Sequence, residues 1–382
     1  MKILIISNYF PPHFKGGYEL SCKEVTDYLF QKGEEVMVLC GDYKKQEEEG
    51  RRDYRVLRKL RYIDYLSGDY WNKSKVEKEN FQITMRVLDR FEPDLVYFWN
   101  QQYISLAPYW AVKKRKIRHL FDIGDIWPIK YHREGFKAKV KSSIKRILPF
   151  FIDSQVKIDP VIILSDWMRP LFKNKFKSKT IYTIPRGVII KENIEIKPHE
   201  HSIRLMFAGR IEPLKGLDLI IKVLANLKEY KWTLDIYGDG EEAYISQIKV
   251  LIKDKLLQDR ITFQGKVYPL DQAYQDHDIF LFPTLAQEGF GRVAIEAMNY
   301  GLPVITVDRF GPNDIVENGL NGFKCSPSEP ECWENSLKQI LSDKELLIKM
   351  SYNALARVKD KYDINKINKE RYDIIKELYY TK

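Results

Sequence analysis

Residues 278 to 305, DIFLFPTLAQEGFGRVAIEAMNYGLPVI, constrain this chain more than any other stretch. Asp278-Ile279-Phe280-Leu281-Phe282 is an apolar run of strand length that stops at Pro283. Glu288 then leads through Gly289-Phe290-Gly291 into a helical pattern that opens with Arg292 and carries Glu296. Gly289 and Gly291 let a ligand approach the backbone, and the first N–H groups of the helix have no internal partner, so the stretch can hold an anion. Glu288 and Glu296 flank that position. Carboxylates suit hydroxyl-rich ligands because each oxygen accepts charge-assisted hydrogen bonds. A sugar nucleotide is the simplest ligand with both features. On these residues alone, a strand, a glycine-rich helix start and two solvated glutamates remain the plainer alternative.

The spacing Glu288-x7-Glu296, followed by Ala297-Met298 and Gly301-x-Pro303-Val304-Ile305, strongly resembles the retaining glycosyltransferases of family 4. The resemblance implies the α/β architecture called GT-B, two Rossmann-like doubly wound domains facing a central cleft. It also implies a nucleoside diphosphate sugar as donor and no metal or other cofactor.

At 382 residues the chain is long enough for two cores of ordinary size. With 44% hydrophobic and 30% charged residues it reads as globular, and no apolar run approaches the roughly 20 residues of a membrane span. The opening MKILIISNYFPP reads as a buried first strand and not as a signal peptide, so cytoplasmic residence is expected. Cys22, Cys40, Cys325 and Cys332 lack CxxC spacing and are expected as reduced thiols. Residues 1 to 185 hold 35 Lys and Arg against 23 Asp and Glu, a net +12, which leaves −2 for the rest. A basic first half is suited to an anionic partner. No helix-turn-helix, zinc-finger or RNP-like signature accompanies the charge, which argues against nucleic acid and for a membrane surface.

The first half begins with the apolar strand Lys2 to Ser7, passes Pro11-Pro12 and Gly16-Gly17, and enters a helix from about Tyr18 to Gln31 closed by Gly33. Strands are expected at Glu35 to Cys40, Tyr54 to Leu60 and Pro93 to Asn100, with a helix from about Lys73 to Phe91. This alternation predicts a doubly wound domain, although the first glycine loop lacks the GxGxxG spacing. Lys113 to Lys116 reads as a helix end, where cations complement the dipole. In the resembled family a Gly-Gly loop at this place approaches the donor phosphate or the acceptor, and Gly16 and Gly17 match it.

The strand His119 to Ile123 runs into Gly124-Asp125-Ile126-Trp127-Pro128. Many members of the resembled family carry a histidine where this chain has Gly124, close to the reacting sugar carbon, while Asp125, Trp127 and Pro128 match. His119 lies at the opposite end of its strand, and His13 and His132 read as surface residues. Gly124 is expected to leave room for a bulkier acceptor or a water. Residues 136 to 151, FKAKVKSSIKRILPFF, put Phe136, Val140, Ile144, Ile147 and Leu148 on one helical face with lysines and an arginine around it. Such a helix can lie on anionic lipid or pack its apolar face on the core.

A polar stretch over 187–202 is expected as a linker between domains at 1–186 and 203–360, with 361–382 a helix that the resemblance returns to the first domain. His199-Glu200-His201 is too little for a metal site. In the second half Gly209 and Arg210 end a strand, and Lys215 stands just before a helix beginning near Gly216, where two cations can neutralise a diphosphate. The family pattern puts an arginine and a lysine at this spacing on the donor diphosphate. The resemblance also places backbone contacts to the base at Lys266 and Val267. Asp276-His277-Asp278 looks like a metal-binding DxD but precedes its strand, the wrong end for a site at strand C-termini.

A retaining transferase breaks the bond between the anomeric carbon and a diphosphate. The resemblance therefore assigns Arg210, Lys215 and the helix start after Gly291 to the leaving group, Glu288 to the sugar and Glu296 to the ribose, in cell-surface polysaccharide biosynthesis. A glycan or lipid-linked acceptor would enter near Gly16, Gly17 and Asp125. A non-catalytic or hydrolytic binder of sugar nucleotides, motivated by Gly124, stays open, as does an epimerase. The epimerase lacks a paired acid and base, and a dehydrogenase lacks GxGxxG.

Overall fold

The computed structural model describes residues 1–42, 49–50, 54–63, 70–131, 156–196 and 202–380. The amphipathic helix expected over 136–151, His132 and His199-Glu200-His201 lie outside these residues. The chain folds as two compact units, Met1–Pro185 with Asn368–Lys382, and Arg186–Ile367.

In the first unit β1 (Lys2–Ser7) is followed by α1 (Gly17–Gln31), β2 (Glu35–Gly41), β3 (Glu49–Gly50), β4 (Arg55–Leu60), α2 (Tyr70–Phe91) and β5 (Leu95–Phe98). Next come α3 (Ala107–Arg115), β6 (Arg118–Ile123), β7 (Val161–Ile163), α4 (Arg169–Lys175) and β8 (Ile181–Thr183). The strands form one sheet in the order β3-β4-β2-β1-β5-β6-β7-β8, parallel throughout except at β3. Ile3 pairs with Val36 on one side and Leu95 on the other. A central parallel strand is covered on both faces, which is why Ile3, Leu4, Ile5 and Ile6 form an unbroken apolar run with no exposed surface.

The second unit repeats the plan. It holds β9 (Ile203–Ala208), α5 (Leu217–Leu224), β10 (Trp232–Tyr237), α6 (Glu242–Asp254), β11 (Ile261–Gly265), α7 (Asp271–Gln275) and β12 (Ile279–Phe282). It continues with α8 (Arg292–Met298), β13 (Val304–Val307), α9 (Phe310–Ile315), β14 (Gly322–Cys325), α10 (Pro330–Ser342) and α11 (Lys344–Lys361). These strands are all parallel, in the order β11-β10-β9-β12-β13-β14. Ile220, Leu224, Leu234, Leu281 and Trp333 sit at the centre of one core on this sheet. The doubly wound α/β plan expected of each half is the one found. Among the parallel strands of each sheet the order reverses once, between β1 and β5 and between β9 and β12. Ligands of open α/β sheets bind beyond the strand C-termini at such reversals.

Over its described part the stretch 187–202 is bonded to the second unit and not strung between two domains. Val188 N–H donates to Tyr362 O at 2.8 Å, and Ile364 N–H donates to Val188 O at 3.0 Å. Asn299 binds the backbone of Ile189 and Lys191 at 2.8 and 3.2 Å. The last helix, α12 (Ile364–Tyr380), begins in the second unit and ends in the first. There Arg371 Nε meets Asp122 Oδ2 at 3.0 Å with both side chains buried, and Tyr97 donates its hydroxyl to the same oxygen at 2.9 Å.

The expectation of four reduced thiols is also corrected. Cys325 and Cys332 are joined as a disulfide, because the turn from β14 into α10 brings residues seven apart face to face. Cys22 and Cys40 are free and buried.

Candidate active site

The loops after β9 and β12 carry most of the residues that the sequence singled out in the second half. The turn Pro213–Lys215 follows β9 and closes on Gly216, whose φ of +68° suits glycine. A Cβ there would stand 2.2 Å from Pro283 O, so the loop after β9 lies directly on the end of β12. Leu285 and Ala286 N–H groups both donate to Leu214 O, at 2.8 and 3.0 Å, and stitch the two loops together.

That stitching brings Lys215 onto Glu288. Their side chains form an ion pair through Glu288 Oε1, at 14% and 23% exposure. Thr284 Oγ1 donates to the same oxygen at 3.3 Å, and Gly311 N–H donates to Glu288 O at 3.1 Å. Two residues on, Phe290 is buried with its ring edge-on to Tyr362 at 5.5 Å, which anchors the loop. Gly289 is buried against Gly311, and a Cβ at Gly291 would stand 2.7 Å from the Phe282 ring, so close packing within the protein accounts for these glycines where ligand approach was expected. Helix α8 opens after Gly291. One turn in, Arg292 Nε lies 2.7 Å from Glu296 Oε1, and Tyr274 donates its hydroxyl to Glu296 Oε2 at 3.2 Å. Burial, then the carboxylate beside it, pushes the Tyr274 phenol well above its ordinary pKa, so it stays a donor.

Arg210 is placed differently. Its guanidinium is 69% exposed and pairs with Glu212 at 3.0 Å, apart from the Lys215–Glu288 pair. Gly209 ends β9 with only Phe207 near a Cβ built upon it, at 3.9 Å. Lys266 and Val267 follow β11, where Lys266 faces Asp239 at 3.9 Å and Val267 is 43% exposed. Asp276-His277-Asp278 lies at the opposite end of the sheet. His277 bonds Ala273 O at 2.6 Å and Asp235 Oδ2 at 2.9 Å, and Asp278 accepts from Arg204 N–H at 2.8 Å.

In the first unit Gly16 and Gly17 open α1 after β1, and Asp125 follows β6. Glu19 folds back on the loop, accepting from Lys15 N–H at 3.3 Å and Gly16 N–H at 3.1 Å. It is 4% exposed, and burial, reinforced by the charge of Asp125, holds its carboxyl above the ordinary range. Asp125 Oδ1 accepts from Trp127 N–H at 2.6 Å, which fixes the turn. The room expected at Gly124 for an acceptor or a water is taken by the protein itself. A Cβ at 124 would meet the Tyr18 ring at 3.1 Å, and the Tyr18 hydroxyl donates to Asp122 O.

Comparison with known proteins places this geometry. Residues 190–357 match the family described as glycosyl transferases group 1, and residues 15–192 match glycosyltransferase family 4. The chain belongs to the family-4 glycosyltransferases of GT-B fold. An uncharacterized glycosyltransferase of Haemophilus influenzae is 30% identical over 216 residues, 56% of this chain and 60% of that protein. One of Methanocaldococcus jannaschii, also uncharacterized, is 23% identical over 98% of both. The solved structure of Anabaena Alr3699/HepE in complex with UDP-glucose superposes with a TM-score of 0.74 at 21% identity, covering 99% of this chain and 100% of that one.

In this glycosyltransferase, Lys215, Thr284 and Glu288 form one cluster and Tyr274, Arg292 and Glu296 a second. Thr284 and Tyr274 escaped the sequence reading, and Gly216 was read only as a helix start. Thr284 stands four residues before Glu288 and Gly216 directly after Lys215, so both adjoin residues that were chosen. Tyr274 had no such signal, since its approach to Glu296 depends on α7 packing beside α8. Among the described residues no helix is long and apolar enough to cross a membrane.

Proposed function

We propose that this protein is a retaining glycosyltransferase that moves a sugar from a nucleoside diphosphate sugar to a hydroxyl of a glycan or lipid-linked acceptor, in the cytoplasm, during cell-surface polysaccharide synthesis. The observation that carries this reading is the pairing of Lys215 with Glu288 at the strand reversal of the second unit, where the loops after β9 and β12 are stitched together. A cation fit for a diphosphate and a carboxylate fit for sugar hydroxyls stand together, as cleavage between those two groups requires. The UDP-glucose bound to Alr3699/HepE is consistent with such a donor.

In this reading the bond between the anomeric carbon and the diphosphate oxygen breaks while the acceptor hydroxyl attacks from the same face. The acceptor's proton passes to the departing phosphate. Lys215 leaves Glu288 for the diphosphate and, with Arg210 and the first N–H groups of α8, stabilises its growing charge without the help of a metal. Glu288 turns to the sugar hydroxyls and supports the positive ring. Glu296, steadied by Arg292 and Tyr274, takes the ribose hydroxyls. Gly209, Lys266, Val267, Gly289 and Phe290 line the donor, and Gly16, Gly17 and Asp125 face the acceptor.

The test is incubation with UDP-, GDP- and ADP-sugars, with released nucleotide and glycosylated product read by mass spectrometry. Transfer with retention at the anomeric centre is expected from one donor. Binding without transfer or hydrolysis would favour the non-catalytic binder motivated by Gly124.

A further inference from the structure

The sheet of the first unit reverses its strand order between β1 and β5, so the loops after these two strands border its ligand crevice. The loop after β1 carries Tyr9 and Lys15, and the loop after β5 carries Tyr103. The Lys15 ammonium stands over both rings, 5.0 Å from the centroid of Tyr9 and 4.7 Å from that of Tyr103. One aromatic face from each side of the reversal thus holds a single cation. Cation–π contacts on both rings favour one placement of a long, mobile side chain before a ligand arrives.

Lys15 differs from the cations of the donor cluster. Lys215, Arg210 and Arg292 each have a carboxylate partner in the second unit. Among the described residues Lys15 has no ion pair. Glu19 is four residues away, but its carboxylate is turned to the backbone N–H groups of Lys15 and Gly16. On the following residue a Cβ at Gly16 would meet nothing within 4 Å among the described residues. Partial burial pulls the Lys15 pKa down, but the hydrogen bond to Tyr9 and the negative groups nearby outweigh it and leave the ammonium firmly charged. The surrounding residues 1–185 carry a net +12.

We propose that Lys15 is the anion-binding residue of the acceptor subsite, and that the acceptor carries a phosphate group within reach of the hydroxyl being glycosylated. This rests on the transferase reading above and adds the chemical class of the acceptor. An ammonium is a compact charge with three rotatable donors, suited to phosphate oxygens of any orientation. Two tyrosine faces hold it in place without neutralising it. The phosphate belongs either to a soluble sugar phosphate or to a lipid phosphate.

Octyl phosphate, glucose 1-phosphate and the neutral octyl glucoside, titrated calorimetrically into protein saturated with UDP, GDP or ADP, test the proposal on wild type, Lys15→Met and Lys15→Arg. Wild type is expected to bind one phosphate probe about tenfold more tightly than Lys15→Met, with Lys15→Arg between them and octyl glucoside indifferent to the change. Preference for octyl phosphate assigns a lipid acceptor, and preference for glucose 1-phosphate a soluble one. Equal phosphate affinity in wild type and Lys15→Met, or no phosphate binding by wild type, overturns the proposal. Lys15 is exposed, so Lys15→Met should keep the wild-type melting temperature and nucleotide affinity. Failure of all three nucleotides to bind wild type would instead count against the transferase reading, while the phosphate titration still reports on Lys15.

Discussion

Lys215 and Glu288, 73 residues apart in the chain, form an ion pair across the ends of β9 and β12. On the function proposed above, a bound diphosphate and Glu288 would compete for the same ammonium. Replacing Glu288 with Gln is expected to leave nucleoside diphosphate affinity unchanged or slightly tighter while nearly abolishing transfer. Lys215→Met should weaken nucleotide binding by roughly tenfold or more, since a hydrogen bond to a charged group contributes about 1.5–3 kcal/mol. Calorimetry with the nucleotide and initial-rate assays separate the two effects, and unchanged turnover in Glu288→Gln removes that residue from catalysis.

Gly216 sits at φ +68° with Pro283 O only 2.2 Å from where a Cβ would be. Gly216→Ala therefore pushes apart the loops that hold Lys215 against Glu288. A loss of more than about 1 kcal/mol in stability is expected, together with weaker nucleotide binding. Urea denaturation and calorimetry on the same variant measure both, and wild-type values for both would show that the loops tolerate separation.

Arg371 and Asp122 form a buried pair, at 1% and 0% exposure, that ties α12 to the strand leading into Gly124 and Asp125. Removing one partner strands a buried charge at a cost of about 3–5 kcal/mol, whereas an apolar replacement of both leaves none. Arg371→Met should melt well below wild type, and Arg371→Met with Asp122→Leu should recover part of the loss. A double variant no more stable than Arg371→Met would show that the pair carries no special weight.

Glu19 gives a pH dependence of definite sign. Its carboxyl pKa lies above 4.5 in the folded state because burial disfavours the charged form. The folded state therefore holds its proton longer than the unfolded one. Stability from this group is full below the unfolded value and is lost as pH rises through the folded value. Relative to Glu19→Gln, wild type should lose stability as pH climbs from 4.5 upward, as chemical denaturation at stepped pH can measure. A difference that does not vary with pH, or that varies in the opposite direction, contradicts it.

Cys325 and Cys332 close a short loop at the edge of the second sheet. Thiol titration of unreduced, denatured protein is expected to find two thiols, from Cys22 and Cys40, and four after reduction. Cys332→Ser should cost about 2 kcal/mol, in keeping with a small closed loop.

Strand and helix positions were legible because parallel strands buried on both faces must be continuous apolar runs, as in Ile3–Ile6 and Ile279–Phe282, and because glycine marks the turns between them. The residues of the Lys215–Glu288 and Arg292–Glu296 pairs were legible for a related reason. Glu288 and Lys215 adjoin a strand end or a helix start and Glu296 lies one turn into α8, places that are written in local sequence. Tertiary structure alone decided which of them meet. It set Lys215 on Glu288, left Arg210 with Glu212, carried Tyr274 to Glu296, put the Tyr18 ring into the space beside Gly124 and joined Cys325 to Cys332. Periodicity reports the environment of one segment, whereas such contacts depend on the register and packing of segments far apart in the chain, which no local pattern encodes.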